Sequence, residues 1–125
     1  MAKESKRQLQ TGELVKRNFG HVLMMEGRYI YGEALVTVTA VRMSPDLGIA
    51  KVYVSVFNAE DKAVVVKKMR TNMWRLKTSL VQRIKKHVRR IPHIDIYLDE
   101  TLDEMWNLNV VFNDLRSKNQ MGEEE

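Results

Sequence analysis

Two runs of alternating residues, ALVTVTAVRM at 34–43 and IAKVYVSVF at 49–57, leave this chain few ways to fold. Period-two alternation rich in β-branched residues marks half-buried strands. Val36, Val38 and Ala40 are expected on one face of the first, against Thr37, Thr39 and Val41. Ala50, Val52, Val54 and Val56 share one face of the second, opposite Lys51, Tyr53 and Ser55. Between the runs lies Ser44-Pro45-Asp46-Leu47-Gly48, where proline fixes φ and glycine can take a positive φ. Two strands and a short turn make an antiparallel hairpin. One of its faces is wholly apolar and must be covered by the rest of the chain.

Helical spacing supplies the cover. From Gln8 to about Met25, Val15, Phe19, Val22 and Leu23 recur on one side, and Gly27 is expected to end this helix. Gly12 and Gly20 weaken it by up to about 1 kcal/mol each relative to alanine, so it depends on packing. RYIYGE at 28–33 then reads as a loop. After the hairpin, Asn58 is the expected N-cap of a second helix, with Glu60 and Asp61 in its first turn, where the helix dipole favours acids. Val65, Val66 and Met69 point inward. A straight helix from Glu60 to Arg90 would set Lys77 in the apolar face, so two helices with a break between about Asn72 and Ser79 are expected. Pro92 stops the second of them. HIDIYLD at 93–99 alternates as a third strand. Thr101 and Glu104 form a capping-box pair for a last helix, about Leu102 to Arg116. Residues 1–7 read as a flexible lead, 8–116 as one domain and 117–125 as a flexible acidic tail.

The charge is unevenly placed. The chain is +5, yet Val66 to Arg90 holds ten Lys or Arg residues and no Asp or Glu, so the other 100 residues sum to −5. The second half of that stretch reads as an amphipathic helix running to Arg90. Leu76, Leu80, Val81, Ile84 and Val88 fall on one side, and Arg75, Arg83, Lys85, Lys86, Arg89 and Arg90 on the other. Like charges at i,i+3 and i,i+4 repel by a few tenths of a kcal/mol each, so a cationic front without relief fits a polyanion. Lys67, Lys68, Arg70, Arg75, Arg83, Lys85, Lys86, Arg89 and Arg90 are the candidate RNA contacts.

Other chemistry finds no support. The absence of cysteine removes disulfides, thiolate metal sites and thiol nucleophiles. His21, His87 and His93 lack metal-ligand spacing, and the last two are expected at the surface. Asp99, Glu100, Asp103 and Glu104 suit a helix start. No Gly-rich phosphate loop or nucleophile elbow is present. The expectation is a non-enzyme with no cofactor, metal or small-molecule substrate. No stretch suits a secretory signal or membrane span, and the lack of cysteine suits a reducing compartment, so a cytoplasmic protein with no membrane partner is expected; a monomer is also expected. Trp74 and Trp106 could be stacking platforms, but their helical patterns favour core or interface packing.

The order α-β-β-α-α-β, with a C-terminal helix appended, is an α+β arrangement: the KH-like, type II fold, a three-stranded sheet with helices on one face. A KH domain clamps single-stranded nucleic acid with a Gly-x-x-Gly loop between paired helices. Val66 to Arg90 contains no glycine, so that clamp is missing. MAKESKRQLQTGELVKRNF, the hairpin VTVTAVRMSPDLGIAKVYVSVF and RRIPHIDIYLDETLDEM together resemble the bacterial ribosome-binding factor A family, from about Ser5 to Leu115. The sharpest part is Val41 to Ser55, seconded by Arg90 to Leu102. The resemblance implies a non-enzymatic assembly factor. Such a factor binds the immature small ribosomal subunit and its ribosomal RNA, assists late rRNA processing around the decoding region, and supports growth in the cold. It also implies an alanine-centred kink in place of the Gly-x-x-Gly loop. Here Ser79 or Asn72 must take that place. Two alternatives come from the residues alone: a generic KH-like single-stranded RNA binder, or a module whose basic face meets an acidic protein.

Overall fold

The structure is a computed structural model and describes residues 4–100. Its elements are α1 (Lys6–Tyr31), β1 (Leu35–Met43), β2 (Ile49–Phe57), α2 (Lys62–Thr71), α3 (Met73–Ile84) and β3 (His93–Leu98). β2 is central, antiparallel to β1 and parallel to β3. This is the α+β, KH-like order expected. The helix expected from Leu102, the 117–125 tail and Trp106 lie outside the described residues.

α1 is longer at both ends than its apolar spacing suggests. It begins at Lys6, where Ser5 and Gln8 form a capping box: the Gln8 N–H donates to Ser5 Oγ (3.1 Å) and the Ser5 N–H to Gln8 Oε1 (2.7 Å). The same Gln8 side chain donates Nε2–H to the Met43 carbonyl at 3.0 Å, tying the helix start to the end of β1. Gly27 does not end the helix. The Tyr31 hydroxyl lies where a Gly27 side chain would stand, so the glycine makes room for a phenol one turn later. RYIY is therefore helical, and the chain leaves α1 at Gly32, whose φ of 78° suits glycine.

The hairpin forms as expected with one change of parity. Val36 pairs with Val56 and Val38 with Val54, but the register shifts between Val38 and Ala40. The extra residue, Thr39, is a β-bulge. Beyond it Val41 and Met43 pair with Val52 and Ala50, and Ala40 opposes Tyr53 on the other face. Strict alternation to Ala40 fails because Thr39 has its own partners: its hydroxyl lies 3.2 Å from the Tyr53 carbonyl and 2.6 Å from Asp99 Oδ2.

Asn58 is not the N-cap of α2. It takes a positive φ of 59° and donates to the Glu33 carbonyl at 3.2 Å, making it part of the turn out of β2. Asp61 caps instead, accepting from the Ala63 N–H at 3.0 Å. The core lies between the sheet and the helices: Val15, Phe19 and Val22 of α1, Val52, Val54 and Val56 of β2, Met69 of α2, and Leu76, Leu80 and Ile84 of α3.

Candidate nucleic-acid interface

The break between α2 and α3 falls at Asn72, which closes one helix and opens the next at φ −105° and ψ 26°. Its side-chain amide donates back to the Lys68 carbonyl at 2.9 Å, while its own carbonyl accepts from the Arg75 N–H at 3.1 Å. An asparagine satisfies the broken ladder from both sides at the place where a standard KH domain has its glycine loop, without that loop's phosphate-clamping amides. The break lets Met69 and Leu76 both point into the core with no exposure. It also turns Lys67, Lys68 and Trp74 outward, all of them exposed.

α3 stops at Ile84, short of the expected Arg90. Lys85 still donates to the Val81 carbonyl (2.9 Å), but His87 donates to Ile84 in a tight turn (2.8 Å). The reason is the strand ahead. Pro92 is buried, and the His93 N–H reaches the Gly48 carbonyl at 2.8 Å, so the chain must reverse within a few residues. Lys85, Lys86, Arg89 and Arg90 therefore sit on an exposed turn, not on one helical face. Cations just past a helix C-terminus are favoured by its dipole. Val88, expected with the apolar side, is only half-buried.

Four of the candidate arginines are already engaged. Arg70 donates through Nε (3.2 Å) and Nη2 (2.5 Å) to the Ile96 carbonyl, joining α2 to β3. Arg75 donates Nε–H to Glu26 Oε1 at 2.6 Å, with its guanidinium 5.0 Å from the centre of the Tyr29 ring, joining α3 to α1. Arg83 donates to Asn18 Oδ1 at 3.1 Å. Arg90 lies 3.5 Å from Asp46 Oδ2 in the hairpin turn. There the Ser44 hydroxyl, the Gly48 N–H and the Arg90 charge hold the Asp46 carboxyl below its ordinary pKa. Lys67, Lys68, Lys85, Lys86 and Arg89 have no acidic partner among the described residues. Beside the turn, Arg7, Thr11, Asp46, Leu47 and residues 87–90 line a cleft of about 320 Å³.

A family model described as Ribosome-binding factor A matches residues 7–112. The chain belongs to the ribosome-binding factor A family. A relative of that name from Cytophaga hutchinsonii is 38% identical over 100 residues, 80% of this chain and 75% of its own. Another, from Flavobacterium psychrophilum, is 31% identical over 80% of this chain and 78% of its own. The crystal structure of ribosome-binding factor A from Thermus thermophilus superposes with a TM-score of 0.61 at 24% identity, covering 73% of this chain and 94% of that one. A homology model of the Thermus thermophilus factor, fitted into a cryo-EM map of its complex with the 30S subunit, gives 0.57 at 25% identity, over 78% and 96%.

Within the ribosome-binding factor A fold, two residues of this surface are not legible from the sequence. Arg7, in the stretch that reads as a flexible lead, stands in the first turn of α1 beside Arg89 and Arg90. No local pattern could have placed it there, because the cleft joins segments 80 residues apart in sequence. Trp74, expected in a core or an interface, is no core residue, being 72% exposed at the start of α3. Among the described residues no cluster of His, Cys, Asp or Glu could hold a metal, and no helix is long and apolar enough to cross a membrane. His87 and His93 are exposed, as expected.

Proposed function

We propose that this protein binds the immature small ribosomal subunit, contacts its ribosomal RNA, and assists late maturation of that RNA as a non-catalytic factor in the cytoplasm, with its largest importance in the cold. The observation that carries the reading is the acid-free stretch of residues 66–90, whose cations Lys67, Lys68, Lys85, Lys86 and Arg89 have no acidic partner among the described residues, carried on the fold of a ribosome-binding factor. Lys67 and Lys68 on α2, with Lys85, Lys86 and Arg89 after α3, are the phosphate contacts. Arg83 is held by the half-buried, uncharged Asn18 and Arg90 by the exposed Asp46. Arg70 and Arg75 support the scaffold beneath. Family membership and the Thermus thermophilus factor fitted on the 30S subunit both favour a small-subunit partner.

The experiment is sedimentation of the tagged protein through sucrose gradients with purified small subunits at graded salt. With about five phosphate contacts, association should weaken about 10²-fold or more between about 50 and 200 mM salt, because each contact releases counterions. A nearly flat salt dependence would favour a protein partner instead.

A further inference from the structure

We infer that Trp74 is a stacking platform for an unpaired nucleobase, set where a KH domain would hold phosphate. The inference rests on the RNA-binding reading above and adds a base contact to it. Trp74 occupies the first turn of α3, two residues after the Asn72 break, and its residue surface is 72% exposed. Leaving an indole in water forfeits a large burial gain, and the neighbouring chain could have hidden it. Met73, next to it, is half-buried, and Leu76 is fully buried.

The arginines on either side make Trp74 the side chain that projects at the junction. Arg70 is turned towards β3 by its bonds to the Ile96 carbonyl, and Arg75 towards α1 by Glu26 and Tyr29. Neither guanidinium is free to lead an encounter with RNA. Thr78 donates its hydroxyl to the Trp74 carbonyl at 2.7 Å, one turn on, which fixes the backbone beneath the ring. In place of glycine amides that admit a phosphate closely, the break offers a broad π surface with Lys67 and Lys68 on the preceding helix. Cations to hold the backbone and an aromatic ring to hold the base are the two parts of a single-strand contact. An acidic protein could use the lysines and the indole as well, and an oligonucleotide titration separates that partner from a base. A single unstacked nucleotide needs both. Arg70 already occupies the Ile96 carbonyl of β3, and residues 66–90 contain no glycine with which to clamp successive phosphates. The contact is therefore one stacked base and not a clamped tetranucleotide.

Two measurements test this on the full chain. The first compares small-subunit association of the wild type, Trp74→Ala and Trp74→Phe across a salt series, after thermal melts confirm that each is folded. Base stacking changes affinity about 5- to 150-fold on alanine substitution and is not a counterion effect. Trp74→Ala should weaken association about 10-fold or more with an unchanged salt slope, and Trp74→Phe should keep most of the affinity. Equal association by Trp74→Ala and wild type overturns the inference, as does a loss accompanied by a shallower slope. The second uses Trp106→Phe, which leaves Trp74 as the sole tryptophan, titrated with oligouridylate or with an abasic strand of equal length. Quenching of the indole emission by the oligouridylate alone supports a base on the ring. Equal response to both strands overturns it and leaves Trp74 to a protein partner. This second arm stands even if no small-subunit association is seen, so failure of the ribosomal reading and failure of the stack are told apart.

Discussion

The junction between α2 and α3 and the turn that follows α3 carry similar cations in sequence but use them differently. At the junction, Arg70 and Arg75 are spent on the protein's own carbonyl and carboxylate, at 2.5 Å and 2.6 Å. After α3, Lys85, Lys86 and Arg89 point at solvent with no acidic partner among the described residues. The difference follows from geometry. A guanidinium is planar and presents several donors, so it suits joints between elements; an ammonium on a flexible stem suits a diffuse phosphate surface. A count of positive charges cannot distinguish a joint from a binding surface, whereas a structure can.

The sharpest way to break this comparison is charge reversal on the turn alone. Lys85→Glu, Lys86→Glu and Arg89→Glu together reverse six units of charge at residues that bury nothing. Association with small subunits at about 150 mM salt should be lost, while stability changes by about 1.5 kcal/mol or less, since exposed substitutions are usually worth about ±0.5 kcal/mol each. Melts and gradient sedimentation on one preparation measure both. A folded variant that still sediments with small subunits would remove the turn from the interface.

Ile84→Ala should act in the opposite sense. Ile84 is fully buried at the end of α3, directly under that turn. The truncation should cost about 2–5 kcal/mol of stability, with binding affected only through the unfolded fraction. Denaturant titration gives the first quantity. Association corrected for the folded fraction gives the second, and a residual defect would mean that Ile84 also shapes the turn.

Arg75→Ala is the smaller, sharper test of the junction. It removes the Glu26 bond and the Tyr29 contact and leaves a half-buried carboxylate without its cation. A loss of about 1–2 kcal/mol is expected, with the salt slope of small-subunit binding unchanged because no phosphate contact is removed. A slope reduced by about one unit would place Arg75 among the phosphate contacts.

The distinction between joint and surface also explains what could be read from residues alone. The hairpin was legible because Ala50, Val52, Val54 and Val56 all face one side in strict alternation, and the structure buries all four completely. The bulge at Thr39 was not, since Val41 and Met43 look as apolar as Ala40, and the partners that favour the bulge are Tyr53 and Asp99, far along the chain. The break near Asn72 was legible from Lys77 and the weak helix formers around it. The end of α3 was not, because the 85–90 segment keeps a helical pattern and is turned by strand pairing at His93. At the interface, the cationic stretch was visible as a whole. Its division was hidden, because Glu26, Asn18, Asp46 and the Ile96 carbonyl approach it only through tertiary packing.

The smallest expected effect concerns Tyr31, which belongs to neither cationic region and so serves as a control on the scaffold that supports both. Burial raises its pKa from 10.0 to about 12. A raised folded-state pKa means that the neutral phenol is favoured in the native protein. Its contribution is complete below about pH 10, where both states hold the proton, and is lost as pH rises from about 10 towards 12, where the unfolded chain ionises first. Tyr31→Phe cannot ionise, and it keeps the ring near Gly27 without the hydroxyl that stands over the glycine. The melting temperatures of wild type and Tyr31→Phe should therefore hold a constant difference from neutral pH to about 10 and then shift in favour of the phenylalanine variant. Taking the difference cancels Tyr29, Tyr53 and Tyr97, which both proteins share. A difference that stays flat through pH 12 would mean that the phenol reaches water, and that Gly27 is not spaced to receive it.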